Sequence, residues 1–269
     1  MSRASHNLPS PAAAATAGEG VAPFDEHGAK VQAMFTDIAP GYDRANRLMS
    51  MGIDVRWRRR AVSNLLPPHV DAAGARILDL CAGTLDSSLE IHRRYPDASV
   101  VGGDFSAGML EAGRARLRGD AREKIEAVRM DAHDLPCADA EFDALFCAFG
   151  VRNLSDLDKA TAEQARALKP GGQLVILEFF RPQRLWTRAF HAAYNHTVLP
   201  VVGWACTGNL EAYRYLPRSM SAFRSADEYA QLLRDHGFVD VEIEHLTFGV
   251  SACIRARRPL DDGSKESHG

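Results

Sequence analysis

Hydrophobic positions change their spacing along the chain, and the changes divide it. Between Lys30 and Leu66 they recur at helical intervals: Val31, Met34, Phe35 and Ile38 lie three and four apart before Pro40-Gly41 breaks the run. A second helix is predicted from near Asp54. From Ala75 onward short apolar runs alternate with helical patterns. Strands are predicted at Arg76–Leu80, Ser99–Gly102, Ile125–Met130, Phe142–Ala148 and Gln173–Glu178, and helices at Ser87–Tyr95, Ser106–Arg118 and Asp156–Leu168. Lys169-Pro170-Gly171-Gly172 reads as a tight stop before the fifth strand. A helix at Ala226–Asp235 ends at His236-Gly237, and Val239–Leu246 with Gly249–Arg255 is spaced as a hairpin. Strand and helix in repetition predict an α/β fold, a parallel sheet with helices on both faces.

Composition narrows this picture mainly by exclusion. The chain has 269 residues, 46% of them hydrophobic and 25% charged, with a net charge of -3. That is ordinary globular usage, with no basic excess to suggest a nucleic-acid partner. No apolar run approaches the roughly 20 residues of a membrane span. The five cysteines (Cys81, Cys137, Cys147, Cys206, Cys253) form no CxxC or CxxH pair, so reduced thiols in a cytoplasmic protein are expected, and no metal site. Residues 1–23 are Ala/Ser/Pro/Gly-rich, with too short an apolar run for a signal peptide. They and residues 259–269 are expected to be disordered tails flanking one domain over 24–258.

Candidate chemistry lies just beyond the predicted strands, where open α/β sheets bind ligands. After strand one comes Asp79-Leu80-Cys81-Ala82-Gly83-Thr84-Leu85-Asp86, whose small Gly83 lets backbone approach a ligand and whose Thr84 offers a hydroxyl. Asp104 follows strand two about 20 residues past that turn, placed to bind ribose hydroxyls. Asp131-Ala132 follows strand three, where an acid can accept from an exocyclic amine. Ala148-Phe149-Gly150-Val151-Arg152-Asn153 follows strand four. Acids or small polar groups ending three successive strands predict a nucleoside crevice rather than a set of helix caps. The turn lacks the G-x-G-x-x-G of dinucleotide sites, and its carboxylates disfavour phosphate, so the charge logic selects S-adenosylmethionine, with its amine and sulfonium.

Several motifs are more specific. Phe35-x-x-Ile38-Ala39-x-x-Tyr42-Asp43-x-x-Asn46 is followed by Leu48-Met49-Ser50-x-Gly52-Ile53 and Trp57. Phe149–Asn153, Leu168–Gly172 leading to Leu177-Glu178-Phe179, and Tyr213-Arg214-Tyr215-Leu216-x-x-Ser219 complete the set. By these residues the chain, from about Lys30 to Arg257, resembles the UbiE-type C-methyltransferases of menaquinone and ubiquinone biosynthesis, a class I S-adenosylmethionine-dependent family. The resemblance implies a Rossmann-like, mostly parallel seven-stranded sheet with the final strand antiparallel. It implies cofactor contacts at Thr84, Asp104 and Asp131-Ala132, with Gly83 and Ala148 in the same crevice. Two positions depart from the family pattern. Ala148 stands where Ser is usual, and Leu85 adds a side chain where Gly is usual; S-adenosylmethionine binding is expected despite Leu85.

The substrate side is read from aromatic density. Eight of the 21 aromatic residues fall within 180–223, and Trp186, Phe190, Tyr194 and Val198 recur at four. This insert is expected to cover the crevice as a substrate lid, alongside a helical cover at 24–70; the resemblance implies a prenylated quinol as the substrate, and Leu199–Trp204 is expected to touch a membrane surface peripherally at its inner face. A homodimer is carried as an open expectation. Arg152 and Asn153 are the expected catalytic residues. Arg152, always protonated, suits phenolate stabilisation better than base catalysis. Tyr42, Tyr194, His196 and Arg214 are lesser candidates. The rival readings are a methyltransferase for another apolar small molecule, a cofactor-binding relative without activity, and an NAD-dependent oxidoreductase. The role of the Arg56–Arg60 cluster, solvated face or anion contact, stays open.

Overall fold

The computed structural model of the protein describes residues 36, 47–48, 50–183, 185–187 and 218–261. Seven strands form one sheet: β1 (Arg76–Leu80), β2 (Ser99–Asp104), β3 (Ile125–Arg129), β4 (Phe142–Ala148), β5 (Leu168–Glu178), β6 (Val239–Leu246) and β7 (Ser251–Arg257). Their order is β3-β2-β1-β4-β5-β7-β6. The first five strands run parallel. The last, β7, is antiparallel to both β5 and β6, as the hairpin spacing predicts.

Strand alternation divides the core into two layers. Leu78, Leu145, Cys147, Leu174 and Ile176 face one side and Ile77, Ala144, Phe146, Val175 and Leu177 the other. On the first side pack α5 (Leu157–Ala167) and α6 (Ala226–Asp235). On the second pack α1 (Ile53–Val62), α2 (Asp86–Arg94), α3 (Ala107–Arg114) and the short α4 (Ala121–Lys124). Sequence dictates α6 closely. Ser225 and Glu228 form a capping box, Ala226, Tyr229, Ala230, Leu232 and Leu233 make the buried stripe, and Gly237 at φ +83° ends it. At the starts of α3 and α5, Ser106 and Asp156 cap by accepting from the Met109 and Lys159 N–H groups.

Some predicted boundaries move. Strand two continues through Gly102-Gly103 to Asp104, because both glycines are packed against neighbours rather than turning. A Cβ on Gly103 would lie 2.3 Å from the Met130 sulfur. Strand three ends at Arg129 and the final strand begins at Ser251. The predicted Ser106–Arg118 helix stops at Arg114, and the Arg116 guanidinium turns back to the Thr84 carbonyl at 3.0 Å. The Lys169–Gly172 stop proves to be a bulge inside β5. Leu168 already pairs with Phe142, the next partners are Ala144 and Gln173, and Gly171 takes φ +77°. The expected 1–23 tail, the N-terminal helix apart from Thr36, and most of the aromatic insert, including Phe190, Tyr194, Val198 and Leu199–Trp204, lie outside the described residues.

Candidate active site

The carboxyl ends of β1, β2 and β4 open onto one cavity, enclosing about 990 Å³ with its open mouth. Gly83, Thr84, Asp104, Asp131, Ala132, Ala148 and Asn153 all line it, so the fold assembles every predicted cofactor position and one of the two predicted catalytic residues. Backbone strain concentrates on the same edge. Cys81, Leu85 and Phe149 hold φ of +59°, +64° and +58°, values that cost a non-glycine residue energy and persist only where packing imposes them.

Asp104 organises the floor. Its Oδ2 accepts from the Gly83 N–H at 2.8 Å and its Oδ1 from the Ser106 N–H at 2.9 Å. These bonds fix the carboxylate at the end of β2 with acceptor capacity left toward the cavity. Burial pushes its pKa up to about 6, against the opposing pull of those N–H donors. Asp131 is held by a different device. The backbone N–H and the ring Nδ1 of His133 both approach its Oδ1, at 2.8 and 2.7 Å, while His133 Nε2 accepts from the Asp156 N–H at 3.2 Å. Because an N–H can only donate, the neutral ring carries its proton on Nδ1.

The other two acids of the first turn are engaged by the protein's own groups, although Asp86 also lines the cavity. Asp79 is buried beneath Ser88, whose hydroxyl donates to it at 2.6 Å, and burial raises its pKa to about 7. Asp86 is ringed by Arg47 at 3.1 Å, Arg58 at 3.9 Å and Arg116. Burial opposes its ionisation, yet the three guanidiniums hold its carboxyl below the usual range. The expectation that these two acids repel phosphate is therefore corrected: Asp79 lies buried beneath Ser88 with its ionisation opposed by burial, and the charge of Asp86 is offset by ion pairing. Of the acids lining the cavity, Asp104 and Asp131 are the ones with no arginine ion pair among the described residues.

Leu85 resolves its departure from the family pattern locally. Its side chain is fully buried, points away from the cavity, and fills a hole left by two glycines. A Cβ on Gly102 would lie 2.5 Å from Leu85 Cδ2, and one on Gly113 2.6 Å from its Cγ. The substitution thus thickens the second core layer without entering the cavity.

The turn after β4 is aromatic. Phe149 stacks on Phe179 with centroids 4.8 Å apart, Trp57 closes on both, and the Trp57 Nε1–H donates to Thr247 at 2.8 Å. Arg58 lies over the Phe149 ring at 5.7 Å. The arginine cluster of α1 therefore divides. Arg58 turns inward to Asp54, Ser87 and the cavity wall, while Arg56, Arg59 and Arg60 face outward. The i,i+4 spacing of Asp54 and Arg58 is the signal that marks Arg58 out in sequence. The cavity walls formed by Phe149, His133 and Met109 carry no such signal, since an apolar or lone histidine position gives none.

Arg152 does not line the cavity, which corrects its expected place facing the transfer site. Its guanidinium turns inward to Glu178 at 2.6 Å and to the Phe149 carbonyl at 2.8 Å, the Arg152 side chain nearly and the Glu178 side chain wholly buried. Glu178 also accepts from the Phe179 N–H at 2.7 Å, so one carboxylate ties the 3-10 turn Val151–Asn153 to the end of β5. Burial raises the Glu178 pKa, and Arg152 opposes the rise. Tyr42, Tyr194, His196 and Arg214 lie outside the described residues. Among the described residues no group of His, Cys, Asp and Glu forms a metal cluster.

The sheet order and the crevice define a class I methyltransferase fold. An S-adenosylmethionine-dependent methyltransferase structure from Thermotoga maritima superposes on 84% of this chain and 99% of its own, with a TM-score of 0.58 at 19% identity. Sequence then places the chain more narrowly. Residues 24–258 match the ubiE/COQ5 methyltransferase family, and the chain belongs to it. It is 44% identical to the demethylmenaquinone methyltransferase of Thermus thermophilus, over 84% of this chain and 100% of the relative. It is 39% identical to the ubiquinone/menaquinone biosynthesis C-methyltransferase UbiE of Geobacter sulfurreducens, over 87% and 91%.

Proposed function

We propose that the protein uses S-adenosylmethionine to methylate a ring carbon of a prenylated quinol, in the manner the names of its relatives describe. The observation that carries this reading is the pairing, in one cavity, of two anchored acids at the ends of β2 and β3 with the Phe149 ring at the end of β4, which is backed by Phe179. The acids fit an adenosine: Asp104 would accept from the ribose hydroxyls and Asp131 from the adenine amine, with Gly83, Thr84, Ala132 and Ala148 lining the rest. Bound S-adenosylmethionine supplies a methyl group already activated on sulfonium.

The chain's own task is alignment and acceptor activation. A quinol carbon becomes nucleophilic when a phenolic proton is lost, so a donor near the developing phenolate lowers the barrier. Asn153 is the proposed donor, from the cavity wall. Arg152 acts through the Glu178 pair as a positioning residue for the turn that carries Asn153. The test is incubation with labelled S-adenosylmethionine and reduced short-chain demethylmenaquinol. A ring-methylated quinone supports the reading, and transfer only to unrelated apolar acceptors contradicts it.

The acceptor's tail suggests a lipid contact. Seven large apolar side chains are exposed among the described residues, and three of them (Leu185, Trp186, Phe248) follow the carboxyl end of β5 or sit on the β6–β7 hairpin beside it. Phe248, 81% exposed at the tip of the β6–β7 hairpin, pairs edge-on with Trp186. We propose that this edge rests on the membrane surface that holds the quinol. Flotation with lipid vesicles is expected, and Phe248→Asp is expected to reduce it; no flotation of the unaltered protein contradicts the contact. No described helix is long and apolar enough to cross a membrane.

A further inference from the structure

Two cysteines lie together directly beneath the cavity floor. Leu80 and Cys147 are register partners on β1 and β4, so their side chains share one face of the sheet. Cys81, the next residue, would alternate to the other face in extended backbone. Its φ of +59° breaks the alternation, and the Cys81 side chain packs in the same core layer as Cys147. Gly150 makes room for both sulfurs. A Cβ there would lie 2.8 Å from Cys81 Sγ and 3.0 Å from Cys147 Sγ. Cys81 also lines the cavity, whereas Cys147 is fully buried. The two thiols are thus neighbours, Cys81 in the turn that follows β1 and Cys147 on the adjacent strand β4, one open to a ligand and one behind it.

We propose that Cys81 and Cys147 form a redox-active dithiol that is oxidised to a disulfide by a quinone entering the cavity, with loss of the cofactor site. The choice of oxidant rests on the quinol-methylating function proposed above, because a site that admits a quinol also admits its oxidised form. The step balances. Two S–H bonds break and one S–S bond forms, and two electrons and two protons pass to the quinone, whose two carbonyls become hydroxyls. Cys81, on the cavity side, is the sulfur that meets the oxidant, and Cys147 resolves it. Contact with Cys81, burial and the nearby Glu178 hold the Cys147 thiol protonated, which leaves the first attack to Cys81, and Cys147 gives up its proton as it resolves. A bond between the sulfurs ties Cys81 to β4 two residues from the Gly83 N–H that Asp104 holds, and this is the link through which oxidation would reach the cofactor site.

The test uses reduced, cofactor-free full-length protein with 2,3-dimethyl-1,4-naphthoquinone. Both ring carbons of this probe carry methyl groups, so it can take up two electrons through a transient Cys81 adduct, from which Cys147 expels the quinol, but can neither keep sulfur as a ring-substituted thioether nor accept a methyl group. After alkylation of remaining thiols, trypsin is expected to yield peptide 77–93 linked to 130–152. Fragmentation should assign the link to Cys147 rather than Cys137, with one quinol formed per linked chain. Cofactor affinity measured by calorimetry should fall about tenfold or more on oxidation and recover with a thiol reductant. Cys147→Ser should form no link and keep its affinity under the same quinone. No link, a link through Cys137, or a Cys81–Cys147 link with undiminished affinity each overturns the proposal. Methyl transfer to demethylmenaquinol by the reduced protein is measured in parallel. Its failure would remove the quinol function, while a Cys81–Cys147 link in the probe arm would still establish the dithiol.

Discussion

The turns after β1 and β4 occupy adjacent places on the same edge and solve different problems. The first, Cys81–Asp86, is built from small residues and backbone N–H groups, and its surplus charge is cancelled by Arg47, Arg58 and Arg116 around Asp86. The second, Phe149–Asn153, is held by a buried ion pair and a ring stack. Both contain non-glycine residues at positive φ, so both store strain, but the strain is held differently. In the first, Leu85 is keyed into a hole left by Gly102 and Gly113. In the second, Glu178 clamps the turn through charge. A polar, phosphate-free cofactor suits the first arrangement and a planar aromatic acceptor the second.

The largest effect should come from breaking the clamp. Glu178→Ala leaves a buried guanidinium without its carboxylate and is expected to cost about 3–5 kcal/mol, read as a fall in Tm or denaturant midpoint. A loss no larger than that of a surface substitution would remove the ion pair from the account. Breaking the key in the other turn should cost less. Leu85→Gly deletes a buried side chain, typically about 2–5 kcal/mol, and relieves about 1–2 kcal/mol of left-handed strain. A net loss of about 1–3 kcal/mol with cofactor affinity unchanged is expected, and a marked change in affinity would show that Leu85 shapes the cavity after all.

A smaller effect concerns Asp79. Its folded pKa of about 7 exceeds the unfolded value, so the native state binds the extra proton, and stability falls as pH rises from about 4 to about 7. Asp79→Asn should therefore raise Tm, and by more at pH 8 than at pH 5. The opposite ordering in thermal scans would mean that the carboxyl is ionised and paired in the fold.

Much of this arrangement is legible in the chain itself. The five parallel strands and the hairpin follow from apolar runs and their breakers, and α6 from its capping box and stripe. Gly83, Thr84, Asp104, Asp131, Ala132 and Ala148 can be placed in one crevice because an α/β sheet brings successive strand ends to one edge. What sequence cannot show is where a side chain turns once it arrives. Arg152 and Asp86 look like site groups by position, yet one faces Glu178 and the other three arginines, partners 26 to 39 residues away in sequence. Leu85 looks like an obstruction until Gly102 and Gly113 are seen beside it. Lys169–Gly172 reads as a stop because a bulge inside a strand and a turn between elements use the same residues.

The division between the two turns is tested most directly by one crossed set of steady-state kinetics on Asp104→Asn and Asn153→Ala, with S-adenosylmethionine and reduced demethylmenaquinol each varied against saturating partner. Asp104→Asn is predicted to raise the KM for S-adenosylmethionine and leave that for the quinol unchanged. Asn153→Ala is predicted to lower kcat and the quinol specificity constant while sparing the cofactor KM. Both substitutions acting on the cofactor KM alone, or on neither substrate, would contradict the account.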